Sequence, residues 1–422
     1  MASAPLRVLF LSHNHPALQP GGSETVALEV FRALRRDHGV EGVFLAAVTA
    51  AHREPRPGTL LQAVAGAPDE VLVWLDHFDR FFLSQVDLHG LADLARVVAD
   101  VRPDIVHVHH PLLFGAEGLA VVQRAAPRAQ FVATLHDYFA LCPREGQLLT
   151  SDDRLCLGPS LDGCHRCFPT RPLSDFVLRD LHVRGAFDRF DRLLVPSEFA
   201  RARFVAAGWP EGRLAVLRNG VVGQPPAPHR PAPDGRRDRF AFFGHINHFK
   251  GARIALEASA LLDNQDVAHR LTLHGGTAYQ TDAFLAAFRE RLAAIPTARH
   301  LGAYSPVELP RHMGTADWVV VPSIWWENAP LVILEAFQHR RPVICSGVGG
   351  MAEMVRDGVD GLHVPPGDAR SLADAMRNAA EEPGLWDRLV ANIRPPRRFA
   401  SLAAEHLALY AALLGRDRRT AA

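Results

Sequence analysis

Short apolar runs alternate with helix-like segments along the whole chain. The segments with helical periodicity lie at residues 23–37, 197–208, 252–263, 281–295 and 330–340. The apolar runs that predict strands cover residues 6–12, 40–48, 104–110, 130–137, 191–197, 214–220, 239–245, 270–276, 316–323 and 341–347. Because continuously apolar strands are buried on both faces and alternate here with helices, the pattern predicts parallel sheets built from βαβ units.

The chain is too long for one ordinary core, because its 422 residues exceed the size at which domains usually split. Residues 223–239, GQPPAPHRPAPDGRRDR, are rich in proline and predict an extended linker. We therefore expect an N-terminal domain over 1–222, a C-terminal domain over 240–394, and a final helical segment, 395–422, that crosses back to the first domain. Two doubly wound domains would face a cleft, with ligands at the carboxyl ends of the strands.

Bulk composition excludes several classes of protein. Hydrophobic residues make up 48% and charged residues 22%, as in soluble globular proteins, and the formal net charge is zero. A neutral chain lacks the basic field of a nucleic-acid-binding protein. The opening MASAPLRVLFLSHNHP is typical of a first strand rather than of a signal peptide, and no apolar stretch reaches the roughly 20 residues of a membrane span. We expect a cytoplasmic protein and leave a peripheral membrane contact open.

Lys250 is the only lysine among 46 Lys and Arg residues. One interpretation is that a single lysine persists by chance on a solvated helix start. The other is that the position requires a compact ammonium rather than a planar guanidinium. The preceding strand ends at Gly244, and Lys250-Gly251 begins the next helix, so a glycine backbone and a cation meet at a strand end.

A second candidate stretch is PSIWWENAPLVILEAFQHRRPVI, residues 322–344. Glu327 precedes the predicted helix, Pro330 suits its first turn, and Glu335 lies inside it. A helix N-terminus favours phosphate, and carboxylates accept hydrogen bonds from sugar hydroxyls. Alternatively, Glu327 caps the helix and Glu335 is an ordinary solvated residue. The Gly21-Gly22 turn is likewise either structural or a close approach to a ligand across the cleft.

Several motifs together resemble the family 4 glycosyltransferases of the GT-B fold. They are Glu327 and Glu335 with seven residues between them, GHINHFKG (244–251), the PGG turn (20–22), TLHDYFALCP (134–143), LRNGV (217–221) and GGMAEMVRDGVDGLHVPPGD (349–368). The resemblance runs from about residue 6 to about residue 415. It implies two Rossmann-like domains, a nucleotide-sugar donor held by the second and an acceptor held by the first, retention of anomeric configuration, and no catalytic metal. In agreement, no Asp-x-Asp motif occurs in the sequence.

The resemblance also implies roles for individual residues. Lys250 would contact the donor diphosphate, Glu327 the sugar hydroxyls and Glu335 the ribose. His136 would face the transferred sugar, although a histidine after a buried strand is also compatible with a core residue. The implied donor-binding set is Gly21, Gly22, Gly244, His245, Lys250, Tyr304, Glu327, Asn328, Ala329, Pro330, Leu331 and Glu335. His245 departs from the arginine usual in this family and replaces a fixed cation by a group that titrates near neutral pH.

Four of the five cysteines fall in one segment, at Cys142, Cys156, Cys164 and Cys167. In a cytosolic chain such a group predicts a metal rather than disulfides, and four thiolates suit a structural zinc. An iron–sulfur cluster and a set of reduced thiols are the alternatives. Cys345 is predicted to be a small core residue.

The function that follows is a retaining, metal-independent transfer of a sugar from a nucleoside-diphosphate sugar to a glycan, a lipid-linked or a small-molecule acceptor. The alternatives are another GT-B activity, such as a sugar-nucleotide epimerase or a phosphorylase, and a nucleotide-sugar-binding protein without catalysis. A phosphorylase would need a lysine for pyridoxal phosphate, and Lys250 is the only lysine in the chain.

Overall fold

A computed structural model describes residues 5–54, 56, 59–232 and 234–420, with the backbone alone for 416–420. The chain divides into two compact units. Unit 1 is Met1–Val222 together with Arg397–Ala422, and unit 2 is Gly223–Pro396. The last two residues of the predicted segment 395–422, Ala421 and Ala422, lie outside the described residues.

Unit 1 is built on an eight-stranded sheet. Its strands, with a separate two-stranded ribbon formed by β5 and β6, are β1 (Arg7–His13), β2 (Glu41–Val48), β3 (Leu61–Val64), β4 (Ala67–Trp74), β5 (Phe78–Asp79), β6 (Ser84–Gln85), β7 (Ile105–Val108), β8 (Gln130–Thr134), β9 (Arg192–Val195) and β10 (Leu214–Val216). The spatial order of the main sheet is β10-β9-β8-β7-β1-β2-β4-β3. All neighbouring pairs are parallel except β3 with β4, an antiparallel edge that the apolar pattern did not predict.

The helices of unit 1 up to residue 222 are α1 (Gly22–His38), α2 (Leu88–Val101), α3 (Gly115–Ala125), α4 (Leu161–Cys167), α5 (Leu173–Phe187) and α6 (Glu198–Ala206), with a 3-10 turn at Glu211–Arg213. α1 forms because apolar residues recur at helical spacing and bury Val26, Val30 and Leu34 against the sheet side. It ends at Gly39, which adopts the left-handed conformation of a helix C-cap (φ 64°).

Unit 2 is built on a six-stranded parallel sheet in the order β13-β12-β11-β14-β15-β16. Its strands are β11 (Arg239–Phe243), β12 (Arg270–His274), β13 (Ala298–His300), β14 (Trp318–Val321), β15 (Val343–Ser346) and β16 (Gly361–Val364). Its helices are α7 (Ala252–Asp263), α8 (Asp282–Ala293), α9 (Leu309–Thr315), α10 (Leu331–Gln338), α11 (Gly349–Met354), α12 (Ala369–Glu381) and α13 (Leu385–Asn392). β14 and β15 are buried along their full length, as the apolar pattern predicts for central parallel strands.

The proline-rich segment belongs to unit 2 instead of standing apart as a linker. The backbone N–H of Ala227 donates to His339 Nδ1 at 3.0 Å. Arg230 donates to the buried carboxylate of Asp317 at 2.7 Å, and Arg237 reaches the same carboxylate at 3.2 Å. These contacts fix the segment because a buried carboxylate is costly unless it is paired.

The final helix, α14 (Phe399–Thr420), lies in unit 1, where it packs on α1. The segment that leads into α14 is hydrogen-bonded to the end of the first 222 residues. The N–H of Val221 donates to the carbonyl of Arg397, and the N–H of Phe399 donates to the carbonyl of Val221, both at 3.0 Å. Inside unit 1 the hydroxyl of Tyr410 lies 2.6 Å from His107 Nδ1. Within the described residues, no helix combines the length and apolarity needed to cross a bilayer.

We predict that Tyr410→Phe lowers the free energy of unfolding by about 1–3 kcal/mol, because it leaves the buried His107 Nδ1 without its partner. Urea denaturation followed by circular dichroism measures the change. Tyr279→Phe is the matched control, since that ring is 65% exposed and should give no measurable change. Equal midpoints for the two variants would show that the Tyr410 hydroxyl does not hold α14 in place.

Candidate functional site

The carboxyl edge of the unit 2 sheet contains the natural position for a ligand. From β11 the chain builds β12 and β13 on one side, and later β14, β15 and β16 on the other. The strand order therefore reverses between β11 and β14, which is where open α/β sheets bind their ligands. The segments that leave these strands are residues 244–251 and residues 322–330, which hold most of the predicted donor-binding residues.

Lys250 and Glu327 meet at this point. Lys250 Nζ lies 2.6 Å from Glu327 Oε1, with the lysine side chain 33% exposed and the glutamate 6% exposed. The same oxygen accepts hydrogen bonds from Ser323 Oγ at 2.8 Å and from Trp325 Nε1 at 3.0 Å. Three donors thus converge on Oε1. They fix the orientation of the carboxylate.

Backbone geometry brings the two segments together. The Lys250 N–H donates to Asn247 Oδ1 at 2.8 Å, which closes the turn before α7. Gly251 follows with φ 76°, and a Cβ there would lie 1.9 Å from the carbonyl oxygen of Pro322. A Cβ on Gly350 would lie 1.7 Å from the carbonyl oxygen of Asn328. Only glycine permits these contacts, so both residues are needed for the close approach of the chain around the Lys250–Glu327 pair.

Four predicted residues, Asn328, Ala329, Pro330 and Leu331, connect Glu327 to α10. Pro330 is the N-cap residue of α10, with φ −64° and ψ 123°, and Leu331 is the first helical residue. The N–H of Gly350 donates to the carbonyl of Glu327 at 2.7 Å and holds the segment from the other side. The first turn of α10 therefore begins beside the ion pair, with the partial positive charge of a helix N-terminus.

Glu335 and Tyr304 form a second part of the unit 2 site. Burial raises the pKa of Glu335 to about 7. Burial also raises the pKa of Tyr304, and the negative charge of Glu335 adds to this effect. The Tyr304 ring contacts that of Phe243, the last residue of β11, with centroids 5.6 Å apart. Glu335 is thus neither a solvated helix residue nor a permanently charged one, because its carboxyl group titrates near neutral pH.

Gly244 and His245 follow β11 directly. Gly244 has φ 144°, and its N–H donates to the carbonyl of His274 at 2.9 Å. His245 Nε2 lies 2.7 Å from the carbonyl oxygen of Ala278. Burial lowers the pKa of His245, and nearby Lys250 lowers it further against the opposing effect of that carbonyl. His245 is therefore neutral at neutral pH and leaves Lys250 as the cation at this turn.

In unit 1 the predicted residues lie at the corresponding edge, after β1 and β8. His136 Nε2 lies 3.1 Å from His109 Nδ1, and burial lowers the pKa of His136 to about 3, so its imidazole is neutral. Gly21 is the N-cap residue of α1, in extended conformation, and Gly22 begins the helix. Glu24, in the first turn, occupies the space beside Gly21, where a Cβ would lie 2.3 Å from Glu24 Oε2.

A buried ion pair that the sequence did not indicate lies at this helix start. Glu24 Oε1 is 3.1 Å from His13 Nε2. Burial opposes ionisation of both groups, but their mutual attraction prevails, so the pKa of Glu24 falls to about 2 and that of His13 rises. Ser323 and Trp325 in unit 2 were also missed. Their only sequence signal was their position beside Glu327, since no spacing rule predicts which donors converge on one oxygen.

The four clustered cysteines, Cys142, Cys156, Cys164 and Cys167, are not joined in disulfides and are of intermediate exposure. Across the described part of the chain, no group of three or more His, Cys, Asp or Glu side chains is placed to hold a metal ion. Burial raises the pKa of Cys142 to about 11, which keeps it protonated. The structural zinc stays a prediction from the sequence, which elemental analysis for about one equivalent of metal would test. Cys345 is buried in β15.

Two family models match this chain. The model described as Glycosyltransferase Family 4 matches residues 20–222, and the model described as Glycosyl transferases group 1 matches residues 237–382. Curated relatives include the D-inositol 3-phosphate glycosyltransferase of Mycobacterium sp. (strain JLS), 28% identical over 429 residues, which cover 96% of this chain and 87% of the relative. The enzyme of that name from Arthrobacter sp. (strain FB24) is 26% identical over 402 residues, which cover 89% of this chain and 87% of the relative.

Solved structures share the fold. Anabaena Alr3699/HepE, crystallised in complex with UDP and glucose, gives a TM-score of 0.69 at 17% identity, covering 96% of this chain and 100% of that one. Sucrose-phosphate synthase from Thermosynechococcus elongatus gives a TM-score of 0.69 at 18% identity, and the match covers 97% of this chain and 100% of that one. At these identities the likeness establishes architecture, and it confirms the predicted GT-B fold with two Rossmann-like domains.

The titration of Glu335 predicts a pH-dependent stability. Its pKa is about 7 in the folded protein, whereas the pKa of an unperturbed glutamate is 4.5. Between these values the unfolded chain loses the proton while the folded chain keeps it, so the free energy of unfolding should decrease by about 3 kcal/mol as pH rises through that range. Glutamine does not ionise, and Glu335→Gln should remove this decrease.

Urea denaturation of both proteins at about pH 5 and about pH 8 measures the effect, with the variant gaining stability over the native chain only at the higher pH. Glu290→Gln, on the exposed face of α8, is the control and should follow the native chain. Parallel pH profiles for native and Glu335→Gln proteins would contradict a raised pKa at Glu335.

Proposed function

Because the chain belongs to the family 4 glycosyltransferases, whose model matches its first half while the group 1 glycosyl transferase model matches its second, we propose that it is a retaining glycosyltransferase. In this proposal unit 2 binds a nucleoside-diphosphate sugar, unit 1 binds the hydroxyl-bearing acceptor, and no metal takes part in the transfer. The single observation that carries the proposal is the Lys250–Glu327 pair at the strand-order reversal of unit 2, beside the N-terminus of α10.

Lys250 is the proposed partner of the diphosphate. Its ammonium now contacts one carboxylate oxygen, and an incoming diphosphate would compete for the same charge. Negative charge builds on the departing nucleotide as the bond to the sugar breaks, and a fixed cation there stabilises the transition state more than the ground state. The first N–H groups of α10 supply the second positive element, since the neutral His245 does not.

Glu327 is the proposed anchor of the transferred sugar. Its Oε1 is held by Ser323, Trp325 and Lys250, which fixes the carboxylate in one orientation, and in this proposal the carboxylate accepts a hydrogen bond from a sugar hydroxyl. Glu335 is proposed to bind the ribose. Because the Glu335 carboxyl group titrates near neutral pH, it can accept or donate a hydrogen bond there.

We propose a uridine nucleotide for the donor, because Anabaena HepE, with the same architecture, was crystallised with UDP and with UDP-glucose. For the acceptor, D-inositol 3-phosphate belongs in any panel because curated relatives are named for it. A glycan and a lipid-linked sugar complete the panel. An NMR assignment of the product's anomeric configuration tests retention, and an inverted product would contradict that part of the proposal.

We predict that Lys250→Ala lowers the turnover number about 100-fold or more, the scale seen when one charge-stabilising donor is removed. The assay is transfer from UDP-glucose to the acceptor panel, with hydrolysis of the donor as a second readout. Arg253→Ala is the matched control, since that cation lies on the same helix start but is exposed and paired with Glu257. A Lys250→Ala enzyme with near-native turnover would remove Lys250 from the mechanism.

A thermal-shift experiment separates donor binding from catalysis. UDP should raise the melting temperature of the native chain and of Arg253→Ala by mass action, and it should raise that of Lys250→Ala much less. Parallel wells with ADP and GDP test the choice of base. A native protein that binds UDP-glucose but neither transfers nor hydrolyses the sugar would be a nucleotide-sugar-binding protein, and the enzymatic proposal would be wrong.

A further inference from the structure

The outward face of α5 exposes a concentration of aliphatic side chains. Of the twelve large apolar residues that are exposed in the described part of the chain, six lie between residues 157 and 181. They are Leu157 (63% exposed), Leu161 (48%), Leu173 (46%), Val177 (45%), Leu178 (55%) and Leu181 (64%). Scattered exposed leucines are ordinary, but a contiguous group of this kind marks an interaction surface.

Four of these residues form one helix face, which we call the aliphatic face: Leu173, Val177, Leu178 and Leu181. Their spacing of four, five and eight residues places them on one side of α5. Ser174 and Gly185 are exposed on the same side and add no charge to it. α4, which carries Leu161, packs against α5.

The opposite side of α5 is fixed in unit 1, so the helix cannot turn the aliphatic face inward. Phe176, Val183 and Phe187 are buried there. Between them Arg179, 4% exposed, donates from Nε to the carbonyl of Phe81 at 2.7 Å and from Nη1 to the carbonyl of Ala140 at 3.3 Å. A buried guanidinium held by several acceptors resists displacement, because its charge would lose those partners.

The charges that border the aliphatic face are balanced and paired. Arg171 and Asp175 lie 3.2 Å apart at one end of the helix, and Arg184 and Asp180 lie 2.8 Å apart towards the other. With Asp162 and Arg166 on α4, three acids face three bases between residues 161 and 187, apart from the inward-pointing Arg179. An anionic membrane recruits surfaces with excess cations, whereas a neutral border of both signs suits a protein surface of the same kind.

The central row of the aliphatic face has the residue types Leu, Val and Leu, so its order is the same whether the helix is followed from its N-terminus or from its C-terminus. Leu173, Val177 and Leu181 follow each other at intervals of four residues, symmetric about Val177. An antiparallel copy of α5 would therefore set Leu173 against Leu181 and Val177 against Val177. Rows at this spacing are the ridges that interdigitate in the commonest helix packing, and a two-fold axis needs such a self-complementary patch.

We propose that the aliphatic face of α5 is the contact between two copies of this chain in a two-fold symmetric dimer, with Val177 at the axis. The contact would lie entirely within unit 1 and does not depend on the transfer reaction. Through Arg179 the same helix holds the carbonyls of Phe139 and Ala140, which follow His136 in the chain. The dimer contact would thus support the segment that borders the proposed acceptor side of unit 1.

Sedimentation velocity of the full chain at about 1 to 100 µM tests the proposal. The native protein should sediment as a dimer at the upper concentrations. Val177→Asp, which would place two carboxylates together at the axis, should sediment as a monomer with an unchanged melting temperature. Val307→Asp is the matched control, since Val307 is 85% exposed in unit 2, and it should remain dimeric.

A native chain that is monomeric at all concentrations, or a Val177→Asp variant that remains dimeric, would overturn the proposal. Co-sedimentation with phosphatidylglycerol–phosphatidylcholine vesicles tests whether the aliphatic face binds a lipid surface instead. If the native chain is monomeric and binds the vesicles, and Val177→Asp abolishes this binding, the aliphatic face contacts lipid and the dimer proposal is wrong. If Val177→Asp loses its melting transition, Leu178→Gln takes its place, with the same expected monomer.

Discussion

A buried carboxylate that must be neutralised governs the organisation of unit 2. Glu327 is almost fully buried, and an isolated charge at that position would cost several kcal/mol. Ser323, Trp325 and Lys250 offset that cost by donating to one oxygen. Their convergence requires the strand ends of β11 and β14 to come into contact, which the glycine at 251 permits. The architecture and the chemistry of this site therefore depend on the same few contacts.

The sequence predicted the four inner strands of unit 2, β11, β12, β14 and β15, because each has an apolar run, whereas the short and partly exposed edge strands β13 and β16 were missed. The five parallel strands predicted in unit 1 after β1 also formed, but the antiparallel pairing of β3 with β4 was missed. Those strands lie at the sheet edge, where partial exposure interrupts the apolar run. α5 was missed for a related reason, since apolar residues on both its faces obscure the helical period.

At the candidate site, residue types and spacing pointed to Lys250, Glu327 and Glu335, and the structure brings the first two into contact. The partners of these residues could not be read from the sequence. The pairing of Lys250 with Glu327 joins residues 77 positions apart, and the neutral state of His245 depends on burial and on the nearby charge of Lys250. Tertiary contacts of this kind follow from packing and leave no local pattern.

The return of the chain to unit 1 has a consequence for biosynthesis. α14 supplies Tyr410 to the buried His107, yet it is translated after all of unit 2. On the ribosome, the first 222 residues emerge with the surface of α1 that will receive α14 still uncovered. Unit 2, which is continuous in sequence, can complete its core first. Vectorial synthesis thus makes the domain that begins earliest the one that finishes last.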